Sequence, residues 1–412
     1  MAIDFTLTTA QRELQLQSRQ FAGDVLAGAV AAELLPTPEG RFLATRSTYE
    51  AMVAAGYLRK CIPAPAGGDN AGLIDMAIMA EEFYSVNPSV TLTMLGTVLG
   101  LLPILLGGTP EQCGRLLAPF LKTSGAPLAA FCFSEPGGSA NAASPVGEGV
   151  RTRAERDGNN WVINGAKKWT SAATGWDRDG ADVLCVVCRT NASVPPEQGV
   201  SVIAVEGPSS GIKFERAINA IGHRAHLVPQ FTLENVTAPR ANLLGQEGGG
   251  LALTAGAFTG TAALVGIFGV ALMRAAFDFA LRFARTEKRG GAHPIIEHQA
   301  VGYALADAKT AIEAARCLSW RACHALDVMS PAAEELAVQA KIYGSETAVR
   351  VITDLMRVVG IDSYDHEAPF GRLLQDALAL PIFDGGNMGI RRRQLHTLLM
   401  RPDYDPLATA GS

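Results

Sequence analysis

Apolar positions in the first part of the chain recur at three- and four-residue steps, which is the spacing of amphipathic helices. Three segments show this pattern: residues 11–25, 49–58 and 75–84. Gly107-Gly108-Thr109-Pro110 then separates them from a further helix that ends near Leu121. The pattern predicts an N-terminal α-helical domain over residues 1–127, in which no acid–base or metal-binding set of side chains stands out.

Between residues 128 and 247 the apolar runs become short and are separated by turn-forming residues, which is typical of β-strands. The predicted strands cover residues 128–134, 151–155, 160–163, 181–189, 200–205, 212–216 and 230–233. Arg156-Asp157-Gly158-Asn159 lies between the second and third of them and predicts a β-hairpin. The stretch predicts a small antiparallel β-sandwich or barrel.

From residue 248 onward the helical spacing returns, first through residues 305–322 and then through residues 337–359. Long helices joined by short links predict a bundle. We therefore predict an α+β protein of three domains. These are an N-terminal α-helical domain (1–127), a middle antiparallel β-sandwich or barrel domain (128–247) and a C-terminal four-helix bundle (248–412).

Composition and charge exclude several classes of protein. Hydrophobic residues make up 48% and charged residues 18% of the 412 residues, a balance typical of globular chains and not of disordered ones. A net charge of −5 argues against a nucleic-acid binder or a protein held on an anionic membrane. Residues 84–110 and 248–273 are long and uncharged, but Gly, Thr, Ser and Pro dilute them. We expect buried core helices there and no membrane span.

The N-terminus and the cysteines predict a cytoplasmic protein. Residues 1–5 contain no basic region followed by an apolar run, so no signal peptide is expected. The seven cysteines are scattered, and an odd number fits reduced thiols. Cys185 and Cys188 form a CxxC, but they lie in a predicted buried strand and no second pair accompanies them. No metal site is therefore expected.

The polar residue of greatest interest is Asp384, which lies between an apolar run and Gly385-Gly386. Arg391 follows seven residues later, about two helical turns, so it can return to the same face. An acid among apolar groups loses hydration and becomes a stronger base, and a nearby cation keeps it ionised. Taken alone, the stretch fits a more common role better, in which Asp384 is a helix N-cap before a solvated basic face.

Segments along essentially the whole chain resemble the acyl-CoA dehydrogenase superfamily. Residues 131–141 (FCFSEPGGSAN) and 161–171 (WVINGAKKWTS) resemble the two segments of that family that contact its flavin. Residues 239–245 (PRANLLG) resemble the link into its C-terminal bundle. Within the superfamily the chain is most similar to the nitroalkane oxidases, through residues 289–291 (RGG), 295–299 (IIEHQ) and 383–387 (FDGGN).

The resemblance implies a flavoprotein that binds FAD and assembles as a homotetramer. The cofactor contacts that it implies are Phe131, Phe133, Ser134, Trp169, Ser171, Arg289, Gln299, Gly360 and Asn387. Trp169 would stack beside the isoalloxazine ring, and the Ser171 hydroxyl would face its N5 atom. Arg289 and Gln299 would hold the dinucleotide half of a neighbouring subunit's FAD. From the residues alone, each position also fits a structural role, such as a core aromatic, a turn hydroxyl or a surface charge.

The resemblance also implies a reaction. Asp384 would remove the proton alpha to a nitro group, and Thr261 would orient the acid. Arg391 would keep the acid ionised and place positive charge near the nitronate, with Ser171 completing the catalytic set. Oxidation would release nitrite, water would give an aldehyde or ketone, and O₂ would be reduced to hydrogen peroxide. The small-molecule substrate would thus be a nitroalkane.

Departures from ordinary acyl-CoA dehydrogenases favour this reaction and leave two alternatives open. Asp384-Gly385-Gly386 replaces their Glu-Gly-Thr, Ala140 lacks a phosphate-binding hydroxyl, and Gly260 replaces an arginine. The first alternative is an acyl-CoA or acyl-carrier-protein dehydrogenase that uses Asp384 as base alpha to a thioester. The second is a non-catalytic flavoprotein that binds DNA, against which the acidic net charge argues.

Overall fold

The computed structural model describes residues 5–144 and 148–410, and it begins with a helical part. Residues 1–4, on which the absence of a signal peptide was partly predicted, lie outside this range. The helices of the first part are α1 (Thr9–Phe21), α2 (Pro38–Leu43), α3 (Arg46–Ala54), α4 (Leu73–Tyr84), α5 (Pro88–Gly107) and α6 (Pro110–Leu116). Short 3₁₀ and π-helical turns join several of them, and the predicted helices are present with bounds that differ by a few residues.

Helix α5 is the central element of this part. Its first turn is closed by Asn87, whose side chain accepts a hydrogen bond from the Val90 amide at 3.1 Å, and Pro88 occupies the first helical position. The helix is apolar around its whole circumference because it packs on three sides, against α4, the first β-strand and the long first helix of the bundle. It therefore lies where the helical part meets the β-sheet and the C-terminal bundle.

The described residues of the middle part form eight strands in one connected sheet. They are β1 (Ala129–Cys132), β2 (Arg153–Asp157), β3 (Asn160–Lys168), β4 (Val183–Arg189), β5 (Val200–Glu206), β6 (Ile212–Ala217), β7 (Pro229–Pro239) and β8 (Leu243–Leu244). The strand order is β6-β7-β3-β2-β4-β5-β8, and β1 pairs with β4. A four-residue helix, α7 (Pro196–Gly199), connects β4 to β5.

The sheet is mixed, whereas the sequence predicted antiparallel strands throughout. The predicted hairpin is present, because β2 and β3 pair antiparallel up to Asp157 and Asn160. Strand β1, however, runs parallel to β4 over all four of its residues, and β2 also meets β4 in parallel at one position. The apolar run of β1 predicted a buried strand, but its direction depends on how the chain crosses over from α6, which no local pattern encodes.

The C-terminal part is a bundle of long helices. They are α8 (Gly250–Thr286), α9 (Gln299–Asp327), α10 (Ala333–Val359), α11 (Phe370–Ala379) and α12 (Arg392–Leu399). Helices α8 and α10 approach closely because glycines face each other: a Cβ built on Gly344 would lie 2.7 Å from Gly266 Cα. Helices α5 and α8 are long and apolar enough to cross a membrane, yet 67% of each apolar window is buried inside the fold, as expected for core helices.

Buried ion pairs join the first part to the bundle. Arg274 of α8 lies 3.0 Å from Glu81 and 2.9 Å from Glu82 of α4, and Arg316 of α9 lies 2.9 Å from Glu81. These carboxylates are almost fully buried, so each needs its cationic partners to offset lost hydration. The pairs hold α4 against α8 and α9, and residues of α4, α5 and α8 line a large cavity.

Candidate active site

A cavity of about 1080 Å³ lies where the three parts of the chain meet. Its wall is mainly apolar and includes Leu95 and Leu99 of α5, Phe131 at β1, and Phe258 of α8. Of the described residues that line it, two carry carboxylates, Asp384 and Asp327. An apolar cavity with a few convergent polar groups is the usual form of a small-molecule site.

Asp384 lies on this wall in a left-handed backbone conformation, with φ of 50°. Its carboxylate accepts a hydrogen bond from the Thr261 hydroxyl of α8 at 2.8 Å and one from Arg391 at 3.2 Å. The side chain is only 6% exposed. The more common role considered for Asp384, a helix N-cap, is therefore wrong, because the following helical turn begins at Asn387 with Gly386 before it.

Arg391 holds the acid in place as well as pairing with it. Its fully buried guanidinium donates to the Asp384 carbonyl at 2.8 and 3.2 Å and to the Phe258 carbonyl at 2.9 Å. A Cβ at Gly385, where φ is +70°, would lie 3.0 Å from Arg391 Nε. The glycine thus gives both the left-handed turn and the room that the arginine needs.

Lys341 of α10 hydrogen-bonds to both ends of the segment that carries Asp384, and the sequence did not predict this role. Its ammonium is fully buried and donates to Asn387 Oδ1 at 3.0 Å and to the Leu380 carbonyl at 3.3 Å. Burial lowers the pKa of Lys341 to about 8, although the nearby Asp384 carboxylate opposes the shift. Lysine is common inside helices, so no local pattern marked this residue.

The side chain of Asn387, which is predicted to contact the cofactor, forms hydrogen bonds within the chain. The amide nitrogen donates to Ser345 Oγ at 3.0 Å and to Glu346 Oε1 at 3.1 Å. Both of its protons are therefore used, and Asn387 is buried against α10 and is not part of the cavity wall. The predicted cofactor contact of Asn387 stays a prediction, and its amide protons are not available to make it.

Replacing Lys341 with Met should remove a pH dependence from the stability of the protein. The pKa of about 8 lies below the ordinary 10.5, so the unfolded chain binds more protons between these values and the native protein gains stability as pH rises through that window. The unfolding free energy rises by about 3 kcal/mol across this window, and below pH 8 the contribution of Lys341 is constant. The thermal unfolding midpoint of the wild type should rise relative to that of Lys341→Met between pH 8 and 10.5.

Lys309→Met is the matched control, because Lys309 is an exposed lysine on α9. Its midpoint should follow that of the wild type across the whole pH range. Curves for Lys341→Met and the wild type that stay parallel would contradict a depressed pKa at position 341.

The predicted flavin wall is built at the end of β1. Phe131 and Phe133 are buried, line the cavity beside Ser134, and pack on Phe258 with ring centroids 5.4 and 5.9 Å away. The buried Lys167 ammonium donates to the Phe133 carbonyl at 3.3 Å and to Glu135 at 3.0 Å. This internal ion pair ties β3 to the segment after β1.

The tight turn after β3 brings polar groups to the same wall. Trp169 has a φ of 63°, is 54% exposed and lines the cavity. Ser171 also lines it, with Oγ 3.1 Å from His226 Nε2. Thr170 lines the cavity too, and within the described part of the chain its buried hydroxyl has no hydrogen-bond partner. The turn therefore presents one aromatic ring and two hydroxyls.

Two buried histidines on the cavity wall were not found from the sequence. Both lie between β6 and β7, and burial lowers the pKa of each to about 3, so both are neutral. His223 hydrogen-bonds to the Tyr84 hydroxyl through Nε2, and its backbone amide donates to Asp376 Oδ1 at 2.5 Å. No local pattern marked either histidine, and they are buried by contacts with distant segments, His223 with Tyr84 of α4 and His226 with Thr93 of α5.

Asp376 is a buried acid off the cavity wall, and unlike Asp384 it has no cation hydrogen-bonded to it among the described residues. Burial raises the pKa of Asp376 to about 6, and its Oδ2 atom has no partner among the described residues. Its position behind His223, off the cavity wall, favours a structural role.

Comparison with known proteins identifies the chain. Three family models match it in order: the acyl-CoA dehydrogenase N-terminal domain over residues 8–124, the middle domain over 130–236 and the C-terminal domain over 248–399. The chain belongs to the acyl-CoA dehydrogenase family. Members of this family are FAD-dependent flavoproteins, and the chain is a flavin-dependent oxidoreductase.

The relatives found include nitroalkane oxidases. The chain is 44% identical to one from Podospora anserina, over 98% of this chain and 98% of the relative. It is 37% identical to one from Fusarium oxysporum, over 100% of this chain and 98% of the relative. The structure of the Podospora anserina nitroalkane oxidase superposes with a TM-score of 0.95 over the full length of both chains at 42% identity. A short-chain acyl-CoA dehydrogenase from Bos taurus is 31% identical over 80% of the chain and 77% of the relative.

The cavity of this family member fits FAD in size and chemistry. Its volume of about 1080 Å³ has room for a tricyclic ring and a small substrate. Phe131 and Phe133 offer flat apolar surface, Trp169 lies on the same wall, and the unpartnered Thr170 hydroxyl offers a hydrogen bond. The contacts of Phe131, Phe133, Ser134, Trp169 and Ser171 with the cofactor stay predictions that this geometry accommodates.

The other predicted cofactor residues lie outside the cavity. Arg289 donates to the Val359 carbonyl at 2.6 Å, pairs with Asp362 at 2.8 Å and lies beside Gly360, whose φ is +74°. Gln299 is exposed and hydrogen-bonds to Tyr303. Within one chain these residues therefore do not reach the cavity, so their predicted contact requires FAD of a neighbouring subunit.

Proposed function

We propose that this flavin-dependent oxidoreductase oxidises nitroalkanes to aldehydes or ketones with release of nitrite, and that Asp384 is the base that starts the reaction. The observation that carries the proposal is the arrangement around that carboxylate. It lies on an apolar cavity wall, almost fully buried, between a hydroxyl donor and a buried arginine. A buried, oriented carboxylate of this kind is a general base for a C–H acid.

The nitro group accounts for the use of aspartate in this position. A proton alpha to a nitro group is far more acidic than one alpha to a thioester, because the charge spreads onto the nitro oxygens. A carboxylate on a shorter side chain, held at one place by Thr261 and Arg391, is sufficient to remove it. Arg391 also places positive charge beside the acid, where the negative charge passes to the substrate.

The relatives support the choice of substrate. A nitroalkane oxidase variant crystallised with 1-nitrohexane superposes with a TM-score of 0.96 over both full chains at 36% identity. The apolar wall of this cavity, with Leu95, Leu99 and Phe258, suits an alkyl chain. FAD, when bound, supplies the two-electron acceptor for the carbanion.

The remaining parts of the proposal concern electron acceptor and assembly. We include O₂ as the acceptor, with hydrogen peroxide as product, and a cytoplasmic homotetramer that binds no nucleic acid. Arg289, Gln299 and Gly360 would then complete the FAD site of a neighbouring subunit. Exposed Ile361 and Tyr364, next to this set, are the kind of apolar surface that an interface covers. Light scattering of the purified protein tests the assembly.

The substrate is tested by mixing the oxidised holoenzyme anaerobically with nitroethane, and separately with a short acyl-CoA. We expect nitroethane to bleach the flavin absorbance and acyl-CoA to leave it unchanged. Nitrite release with a series of primary nitroalkanes in air should follow, with equivalent hydrogen peroxide. Bleaching by acyl-CoA alone would replace the proposal with thioester dehydrogenation, and bleaching by neither would favour a binding role.

A further inference from the structure

Three polar side chains from distant parts of the sequence form one continuous chain of hydrogen bonds that ends at the cavity. Thr93 Oγ1, on α5, lies 2.9 Å from His226 Nδ1, and His226 Nε2 lies 3.1 Å from Ser171 Oγ. Thr93 and His226 are buried, and both His226 and Ser171 line the cavity. The reaction proposed above uses neither Thr93 nor His226.

The direction of these hydrogen bonds follows from the number of protons. The Thr93 hydroxyl has one proton, which it donates to the Ser89 carbonyl one helical turn earlier, at 3.1 Å. Toward His226 the Thr93 oxygen is therefore an acceptor, and Nδ1 carries the imidazole proton. The imidazole is neutral because burial lowers the pKa of His226 to about 3. Nε2 consequently has a free lone pair that faces Ser171.

The orientation of the Ser171 hydroxyl is fixed by this lone pair. Ser171 donates its single proton to His226 Nε2, away from the cavity. Toward the cavity only the oxygen lone pairs remain, so Ser171 can accept a hydrogen bond there but cannot donate one. Oxidised flavin has an unprotonated N5, which needs a donor, whereas reduced flavin carries a proton on N5, which needs an acceptor.

We propose that His226 is a positioning residue that makes Ser171 a hydrogen-bond acceptor toward the cofactor, and that it thereby favours the reduced form of the bound FAD. The proposal deepens the proposed function and rests on the predicted placement of Ser171 at flavin N5. Thr93 is a second positioning residue, because its oxygen accepts a hydrogen bond from His226 Nδ1 and thereby selects the imidazole tautomer.

Packing restricts the positions of Ser171 and His226. A Cβ on Gly96, one turn along α5 from Thr93, would lie 2.8 Å from Ser171 Cβ and 2.9 Å from its Oγ. Helix α5 thus presses on Ser171 at a position where only glycine fits. On the other side, the Ala172 amide donates to the Leu227 carbonyl at 2.8 Å, which joins the segments that carry Ser171 and His226. The serine is held in register with the imidazole by backbone as well as side-chain contacts.

The test is the midpoint potential of the bound flavin, measured by dye equilibration of the holoenzyme without substrate. In His226→Leu the Ser171 proton is free to turn to oxidised N5, so the potential should fall. In Thr93→Val the imidazole proton can move to Nε2, which has the same effect. One hydrogen bond corresponds to about a tenfold change in the reduction equilibrium, or roughly 30 mV for a two-electron couple.

Two further variants separate this role from a structural one. In a Ser171→Ala background, His226→Leu should have no additional effect on the potential, because His226 acts through that serine. Thr91→Val is the matched control on the same helix, since the Thr91 hydroxyl is buried, donates to the Asn87 carbonyl at 2.8 Å and is not part of the cavity wall. Its potential should equal that of the wild type.

Unchanged or raised potentials in His226→Leu and Thr93→Val would overturn the proposal, as would equal shifts with and without Ser171. FAD content is measured first, and Thr93→Val, which keeps the imidazole, decides the matter if His226→Leu loses the cofactor. The measurement uses no nitroalkane, so its outcome is independent of whether nitroethane is the substrate.

Discussion

Asp384→Asn should lose turnover of neutral nitroalkanes and keep its fold and its FAD. The asparagine has the same shape and can still accept from Thr261, but it cannot take a proton from carbon. Loss of a general base lowers the rate by about 10²- to 10⁴-fold. When the preformed nitronate is supplied, the proton is already absent and the variant should retain most of its activity. Nitrite release with nitroethane and with its nitronate at equal concentration measures the difference.

Asp354→Asn is the matched control. Asp354 is a partly exposed carboxylate on α10 that pairs with Arg357 at 2.8 Å and is not part of the cavity wall. That variant should release nitrite from both substrate forms at the wild-type rate. An equal loss on nitroethane and nitronate in Asp384→Asn would mean that Asp384 is not the base.

Arg391→Met should destabilise the protein and inactivate it together. The guanidinium is fully buried and makes hydrogen bonds to the Asp384 carboxylate and to the carbonyls of Asp384 and Phe258. Removing it leaves a buried carboxylate without its cation, which costs about 3–5 kcal/mol of unfolding free energy. Arg391→Lys keeps the charge but not the planar fork, so it should recover part of the stability and little of the activity. Thermal midpoints and nitrite release measure the two effects.

Arg392, the next residue in the chain, provides the matched control for Arg391→Met. Arg392 pairs with Glu346 at 2.7 Å, and both side chains are more than 40% exposed. Arg392→Met should therefore change the unfolding free energy by less than about 1 kcal/mol and leave nitrite release unchanged. Similar losses in the two methionine variants would show that charge in this segment matters in general, and would remove the specific role of Arg391.

The seven-residue separation of Asp384 and Arg391 predicted their contact correctly, but it did not predict the backbone conformation that produces the contact. The expected two helical turns are replaced by a left-handed residue, two glycines and a π-helical turn over Asn387–Arg391. The arginine nevertheless returns to the acid, because its guanidinium binds the Asp384 carbonyl as well as the carboxylate. Sequence spacing limited how far apart the two groups could be, and packing selected the conformation.

The sequence by itself determined the succession of helical, strand and helical parts, because hydrophobic periodicity is a local property that each segment carries alone. It also marked Asp384 and Arg391 as a pair, and its motifs predicted which turns contact the flavin. Only the tertiary structure decided the parallel direction of β1, the buried environment of Asn387 and Lys341, and the position of His223 and His226 on the cavity wall. Each of these depends on contacts between segments that are distant in the chain, such as Thr93 with His226 and Thr261 with Asp384, and such contacts form only when the three parts pack together.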